Sequence, residues 1–118
     1  MSVSNSFRAF ALEQLQRTIP EVRARSMFGG VGVYAGDLFF GLMDDDVLYF
    51  KVDDSNRGLF EARRMGPFRP SGEGGEVMQY YEVPADVLED VELLASWVEA
   101  SVDVARQAKR GRVRRRGS

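Results

Sequence analysis

The residues best suited to a definite chemistry in this chain are seven cations crowded into its last thirteen positions. Arg106, Lys109, Arg110, Arg112, Arg114, Arg115 and Arg116 occur there without a single acid. Such a cluster can neutralise phosphates and release their counterions, giving salt-dependent nucleic-acid contact that tolerates any sequence. It holds no aromatic residue to stack on a base, so it would position nucleic acid, DNA included, rather than read it. The alternative is a solubilising tail folded back on the body. That body holds the other 9 of the 16 basic residues against all 18 acidic ones, a charge of −9 that the overall −2 conceals. An apolar-poor basic segment on an acidic globule divides the chain into an ordered body, residues 1–105, and a disordered arm, residues 106–118, because the arm has too little apolar surface to offset its ordering entropy.

Other constellations are weaker. Gly30-x-Gly32-x-x-Ala35 fits the spacing of a dinucleotide fingerprint, but that motif needs a strand before it and a helix after it, and here strands follow. The glycines read better as positions of unusual backbone conformation or close approach. Arg25, Met27, Phe28, Gly29 and Gly30 are candidates to line a ligand groove; the competing reading puts Met27 and Phe28 in the core and Arg25 in a surface ion pair. Asp44-Asp45-Asp46 has the oxygen chemistry of a hard-cation site, yet lacks supporting ligands and reads as a solvated turn. Asp53, Asp54 and Glu61, or Glu82 with Asp86, offer carboxylate pairs for hydrolysis, with capping and solubility as the simpler roles. There is no Cys and no His. Thiol nucleophiles, disulfides, the usual zinc sites and histidine relays are thereby excluded, and no cofactor or metal is expected.

The elements that position these residues follow from pattern. Beta-branched and aromatic residues run from Val31 to Tyr34, Leu38 to Met43 and Val47 to Val52, separated by Ala35-Gly36-Asp37 and the aspartate turn. Connections this short force antiparallel pairing. Upstream, Val3, Phe7, Phe10, Ala11 and Leu15 recur at helical steps, with Ser4, Asn5 or Ser6 to cap and Pro20 to end the helix. Asp53-Asp54-Ser55 offers the cap of a short helix to about Arg64, with Leu59 and Phe60 turned inward. Residues 66–76 read as a loop pinned by Phe68, and Val77 to Val83 as a fourth strand. From Ala85, Leu88, Val91, Leu94, Ala95, Val98, Val102 and Ala105 mark the longest helix, with acids at its favoured N-terminal end. The order is α-β-β-β-α-β-α in one domain of adequate size for a core.

Arg25-Ser26-Met27-Phe28-Gly29-Gly30 through Lys51-Val52-Asp53, then Asn56-Arg57, Phe60, Pro67-Phe68, Tyr80-Tyr81-Glu82-Val83-Pro84 and the helix with Trp97, resemble the TfoX/Sxy N-terminal domain family over nearly all of residues 5–105. The resemblance implies an α+β fold, a two-layer α/β sandwich with helices on one antiparallel sheet. It also implies a link to natural competence, the regulation of DNA transformation, in which named members assist a transcription activator at promoters. Those members join this domain to a second, helical one; here the chain stops soon after the long helix, which suggests a single-domain member.

Phe39-Phe40, Tyr49-Phe50 and Tyr80-Tyr81 must each turn one ring away from the core. If helices cover one face only, the other presents aromatic surface, a feature of interfaces, so a homodimer is one expectation. The leading functional reading is a non-enzymatic regulatory or adaptor module with a protein partner, a transcription factor or itself, and a basic tail for nucleic acid. A homodimeric interaction or chaperone-like platform without nucleic acid is the second. An enzyme or small-ligand binder is third. No run approaches the roughly 20 apolar residues of a membrane span, and the N-terminus lacks the regions of a signal peptide, so no membrane contact and a cytoplasmic location are expected.

Overall fold

Short polar turns between alternating apolar runs build the sheet strand by strand, in chain order. The computed structural model describes residues 3–27, 29–70 and 79–117. Helix α1 spans Asn5–Thr18, followed by β1 Val22–Met27, β2 Gly30–Ala35, β3 Leu38–Asp44, β4 Val47–Lys51, α2 Arg57–Glu61, β5 Tyr80–Glu82, α3 Ala85–Glu89 and α4 Val91–Gly117. The five strands pair antiparallel in the order β1-β2-β3-β4-β5. The expected α+β architecture holds, with the meander one strand longer at its front and the last helix divided in two.

Strand β1 was not expected. Its residues alternate, with Val22, Ala24 and Ser26 opposite Ala35, Val33 and Val31 on one face and Arg23, Arg25 and Met27 on the other. Ala and Ser at the inward positions make the apolar alternation weak, which hides an edge strand from pattern reading. The proposed fourth strand is shorter than expected, Tyr80–Glu82, and Val77 lies outside the described residues.

Local chemistry explains the turns. Asp45 and Asp46 both have positive φ, 52° and 60°, as a two-residue primed turn requires between Asp44 and Val47, which pair directly. Aspartate tolerates this region better than most residues. The Asp46 carboxylate also accepts the Ser4 N–H at 2.7 Å, and Ser4 caps α1 by accepting the Phe7 N–H. The aspartate turn therefore anchors the start of α1. Among the described residues no group of three or more acids is placed to hold a metal ion.

One core face collects the apolar residues of the sheet and helices. Ala11, Leu15, Val33, Phe40, Met43, Phe50, Phe60, Val87, Leu94 and Val98 are fully buried there. A register shift at Val33/Tyr34 leaves Phe40 unpaired opposite β2, so Phe39 stays beside Tyr34 while Phe40 turns into the core. Gly41 makes room for this: a Cβ there would lie 2.9 Å from the Tyr49 carbonyl oxygen and 3.2 Å from the Phe50 ring. The Phe40 and Phe50 rings meet at 5.5 Å.

Three helical expectations are corrected. The short helix begins after Asn56 and ends at Glu61, not at Arg64. Asp53 forms a local turn with Ser55, while buried Asn56 bonds the Asp53 N–H, the Lys51 carbonyl and the Ser101 hydroxyl. Leu59 points outward, 43% exposed, although Phe60 is buried; Phe10 on α1 is likewise 42% exposed. The long helix from Ala85 breaks at Asp90, whose extended backbone ends α3 and whose carboxylate accepts the Leu93 N–H to start α4.

Candidate nucleic-acid interface

The sheet face away from the helices carries Arg23, Arg25 and Met27 from β1, Gly30, Gly32 and Tyr34 from β2, Phe39 from β3, Tyr49 and Lys51 from β4 and Tyr80 from β5. This follows from the pairings Arg23 to Tyr34, Arg25 to Gly32, Tyr34 to Phe39 and Lys51 to Tyr80. The expected division of the aromatic pairs holds: Phe40 and Phe50 turn to the helices, Phe39 and Tyr49 away from them. Tyr34 and Phe39 stack at 5.0 Å, and Phe39 meets Tyr80 at 5.7 Å. Phe68 is anchored to the sheet as expected, its ring 4.8 Å from Tyr49 and its N–H donating to the Tyr80 carbonyl at 2.7 Å, while residues 71–76 of the expected loop lie outside the described residues. Burial raises the Tyr49 phenol above its ordinary pKa, and nearby Glu82 reinforces the shift.

At the β1 edge lies an open groove of about 400 Å³, lined by Arg23, Ala24, Arg25, Tyr34 and Asp37. The Arg23 guanidinium donates to the Gly36 carbonyl at 3.2 Å, which holds it over the β2–β3 turn. That turn needs Gly36, at φ +62°, in its first central position. Asp37, the second turn residue, is ion-paired with Lys109 of α4. The hydrogen bond from Lys109 holds the Asp37 carboxyl below its usual range. A second hollow of about 120 Å³ lies on the other side of this pair, lined by Asp37, Leu38, Phe39, Lys51, Ala105, Ala108 and Lys109.

The groove candidates named from sequence separate. Arg25 lines the groove. Met27 shares its face but lies over Gly32, where a Cβ would meet the Met27 methyl at 2.6 Å. Gly29 has φ +81° in the β1–β2 turn. Gly30 is a close approach, with the Met43 carbonyl oxygen 2.7 Å from where its Cβ would sit. Phe28 lies outside the described residues. Arg23, Tyr34 and Asp37, which complete the groove, were not singled out. The i, i+2 spacing of Arg23 and Arg25 was the available signal, but it has meaning only once β1 is known to be a strand.

The basic cluster joins the body without a break. Helix α4 continues past residue 105 through Arg106, Lys109, Arg110, Arg112, Arg114, Arg115 and Arg116 to Gly117. Val104 and Ala105 are buried, while Arg106, Lys109 and Arg110 are exposed. Arg106 pairs with Asp103 at 3.3 Å within the helix. Of the carboxylates weighed for hydrolysis, Asp54 pairs with Arg57 at 2.5 Å, and Asp86 pairs with Arg63, which holds the Asp86 carboxyl below its usual range. Among the described residues no helix is long and apolar enough to cross a membrane.

The family model described as TfoX N-terminal domain matches residues 13–105 of the 118. That span runs from within α1 to the last buried turn of α4, so it takes in all five strands and every core residue named above except Ala11. No curated protein matches this chain.

Proposed function

Since the chain belongs to the TfoX N-terminal domain family, which is linked to competence regulation, we propose that it is a non-enzymatic regulatory or adaptor module that contacts nucleic acid through the basic end of α4. The observation that carries this reading is the continuity of α4 from the buried Val104 and Ala105 into seven cations without an acid. The helix is fixed to the core at Ala105, so the exposed Arg106, Lys109 and Arg110 are carried at a defined place on the body. Two of the body's acids, Asp37 and Asp103, pair with Lys109 and Arg106; the rest of its −9 would repel a phosphate backbone, so contact is concentrated at this end. The role fits assistance to a transcription factor bound at DNA: the cations supply sequence-tolerant affinity, and a protein partner supplies choice of site.

Fluorescence anisotropy with labelled duplex DNA over a range of salt tests it. The full chain is compared with a full-length variant in which Arg106, Lys109, Arg110, Arg112, Arg114, Arg115 and Arg116 are all changed to Gln. The expected result is a log-log salt slope approaching about −6 for seven neutralised phosphates, lost in the variant. Equal binding by the two proteins removes α4 as the point of contact, and no binding by either near physiological salt removes the nucleic-acid role. The aromatic sheet face would then favour the second reading, a homodimeric interaction platform, for which a sedimentation mass of two chains at micromolar concentration is the decisive observation.

A further inference from the structure

We infer that the groove at the β1 edge is a binding site for single-stranded nucleic acid, in which Tyr34 stacks on a base and Arg23 and Arg25 hold neighbouring phosphates. The inference rests on the nucleic-acid reading of α4 and specifies the strand form that the body would take. Three observations carry it.

The first is the pairing of cations with an accessible aromatic ring. Arg23 and Arg25 sit two residues apart on one face of an edge strand, so their Cα atoms are about 7 Å apart, on the scale of successive phosphates along a single strand. Between them and the β2–β3 turn the Tyr34 ring lines the same groove. Its partner Phe39 stacks on it from the β3 side, which holds the ring in one orientation. Arg25 is exposed and has no acidic partner among the described residues. Phosphate-binding guanidinium groups beside a stacking ring are the two parts that single-strand recognition needs, and the stacking part is the one the tail lacks.

The second is charge at the turn. Asp37 would repel a phosphate, but Lys109 is ion-paired to it, and Glu21, whose carboxylate stands beside Gly36, is offset by the two arginines. The groove is therefore cationic on an otherwise acidic body, the complementarity a polyanion requires. The third is continuity. Asp37 lines both the groove and the second hollow, and that hollow is also lined by Lys51 and Lys109. A strand leaving the groove passes directly onto the basic end of α4. Duplex DNA does not satisfy the same site, because its bases are stacked on one another and present no free face to Tyr34.

The test is anisotropy of the full-length protein with a labelled oligothymidine of about 12 nucleotides and with a hairpin duplex of equal phosphate number. The expected result is that Tyr34→Leu weakens oligothymidine binding about tenfold or more and leaves duplex binding within twofold, while Tyr34→Phe binds as the parent does. Arg25→Ala, a change at an exposed side chain, should weaken the single-strand complex and lower its salt slope by about 0.7. Unchanged oligothymidine binding by both Tyr34→Leu and Arg25→Ala overturns the inference. If the seven-Gln variant still loses duplex binding in that case, the reading of α4 stands without it. If the parent chain binds neither oligonucleotide, both fall together.

Discussion

On the helix-covered face of the sheet Phe40 and Phe50 are fully buried and meet each other in the core, whereas on the opposite face Tyr34 and Phe39 stack on each other and line hollows. Phe39 and Phe40 are neighbours on β3, so one residue along a strand separates the two faces. On one side an aromatic ring is a core component whose removal leaves a cavity; on the other it is partly covered surface whose removal costs ring stacking. Charge divides in the same way. Arg23, Arg25 and Lys51 lie on the open face, and among the described residues no Lys, Arg, Asp or Glu enters the buried set.

This comparison can be broken most directly by truncating a ring on each face. Phe50→Ala should lower the free energy of unfolding by about 3–5 kcal/mol, as buried aromatic truncations do; chemical denaturation measures it. A loss below about 1 kcal/mol would mean that the core face is not where the structure puts it. Gly30→Ala comes next, because its new Cβ would meet the Met43 backbone oxygen at 2.7 Å, and backbone cannot yield as a side chain can. A cost of about 1–3 kcal/mol is expected from the forced shift.

Tyr34→Leu should cost less, about 1 kcal/mol of aromatic stacking. A loss as large as that of Phe50→Ala would erase the distinction between the faces. Asp45→Gly acts in the opposite direction. It relieves a positive φ of 52° and should stabilise the β3–β4 hairpin by a few tenths to about 1 kcal/mol, reduced by the extra freedom of glycine in the unfolded chain.

The smallest effect is a pH dependence at the Asp37–Lys109 contact. The folded pKa of Asp37 lies below its unfolded value of 3.8 because of Lys109. Its stabilising contribution is therefore full above that value and is lost as pH falls through the lowered folded value. The parent and Asp37→Asn should differ slightly in thermal midpoint at neutral pH and converge in strong acid, with high salt narrowing the gap because the pair is exposed. A gap that widens on acidification would contradict the pairing.

Much of the fold was legible because its signals are local. The β2–β3 and β3–β4 turns are two-residue connections with Gly or Asp at the positive-φ positions, and the flanking strands are runs of β-branched and aromatic residues. Ser4 as the cap of α1 and Phe68 as the anchor of its loop were also readable, since each acts within a short stretch or through one large apolar side chain. Strand β1 escaped because Ala24 and Ser26 occupy its inward positions, and the break at Asp90 escaped because an acid near a helix start fits a first turn as well as a cap. Leu59 was misplaced for a related reason: the five-residue α2 is too short for periodicity to say which of two adjacent apolar residues faces in.

The candidate site was less legible than the fold. Arg25 and the basic run were visible as residue types, but the groove is made by a side chain from β2, a turn residue between β2 and β3, and two guanidinium groups on an edge strand that pattern alone did not show. Asp37 and Lys109 are 72 positions apart, and no spacing rule connects them.

By itself the sequence determined the antiparallel meander, the two-faced aromatic pairs, the absence of cysteine and histidine chemistry, and the separation of seven cations from an acidic body. Each of these depends on composition or on interactions within a few residues of the chain. Only the tertiary structure decided which face the helices cover, that the turn at Asp37 meets the basic end of α4, and that Arg23, Arg25 and Tyr34 share one groove. Those are consequences of packing between distant segments, where the register of one strand and the direction of one helix place side chains that the linear order keeps apart.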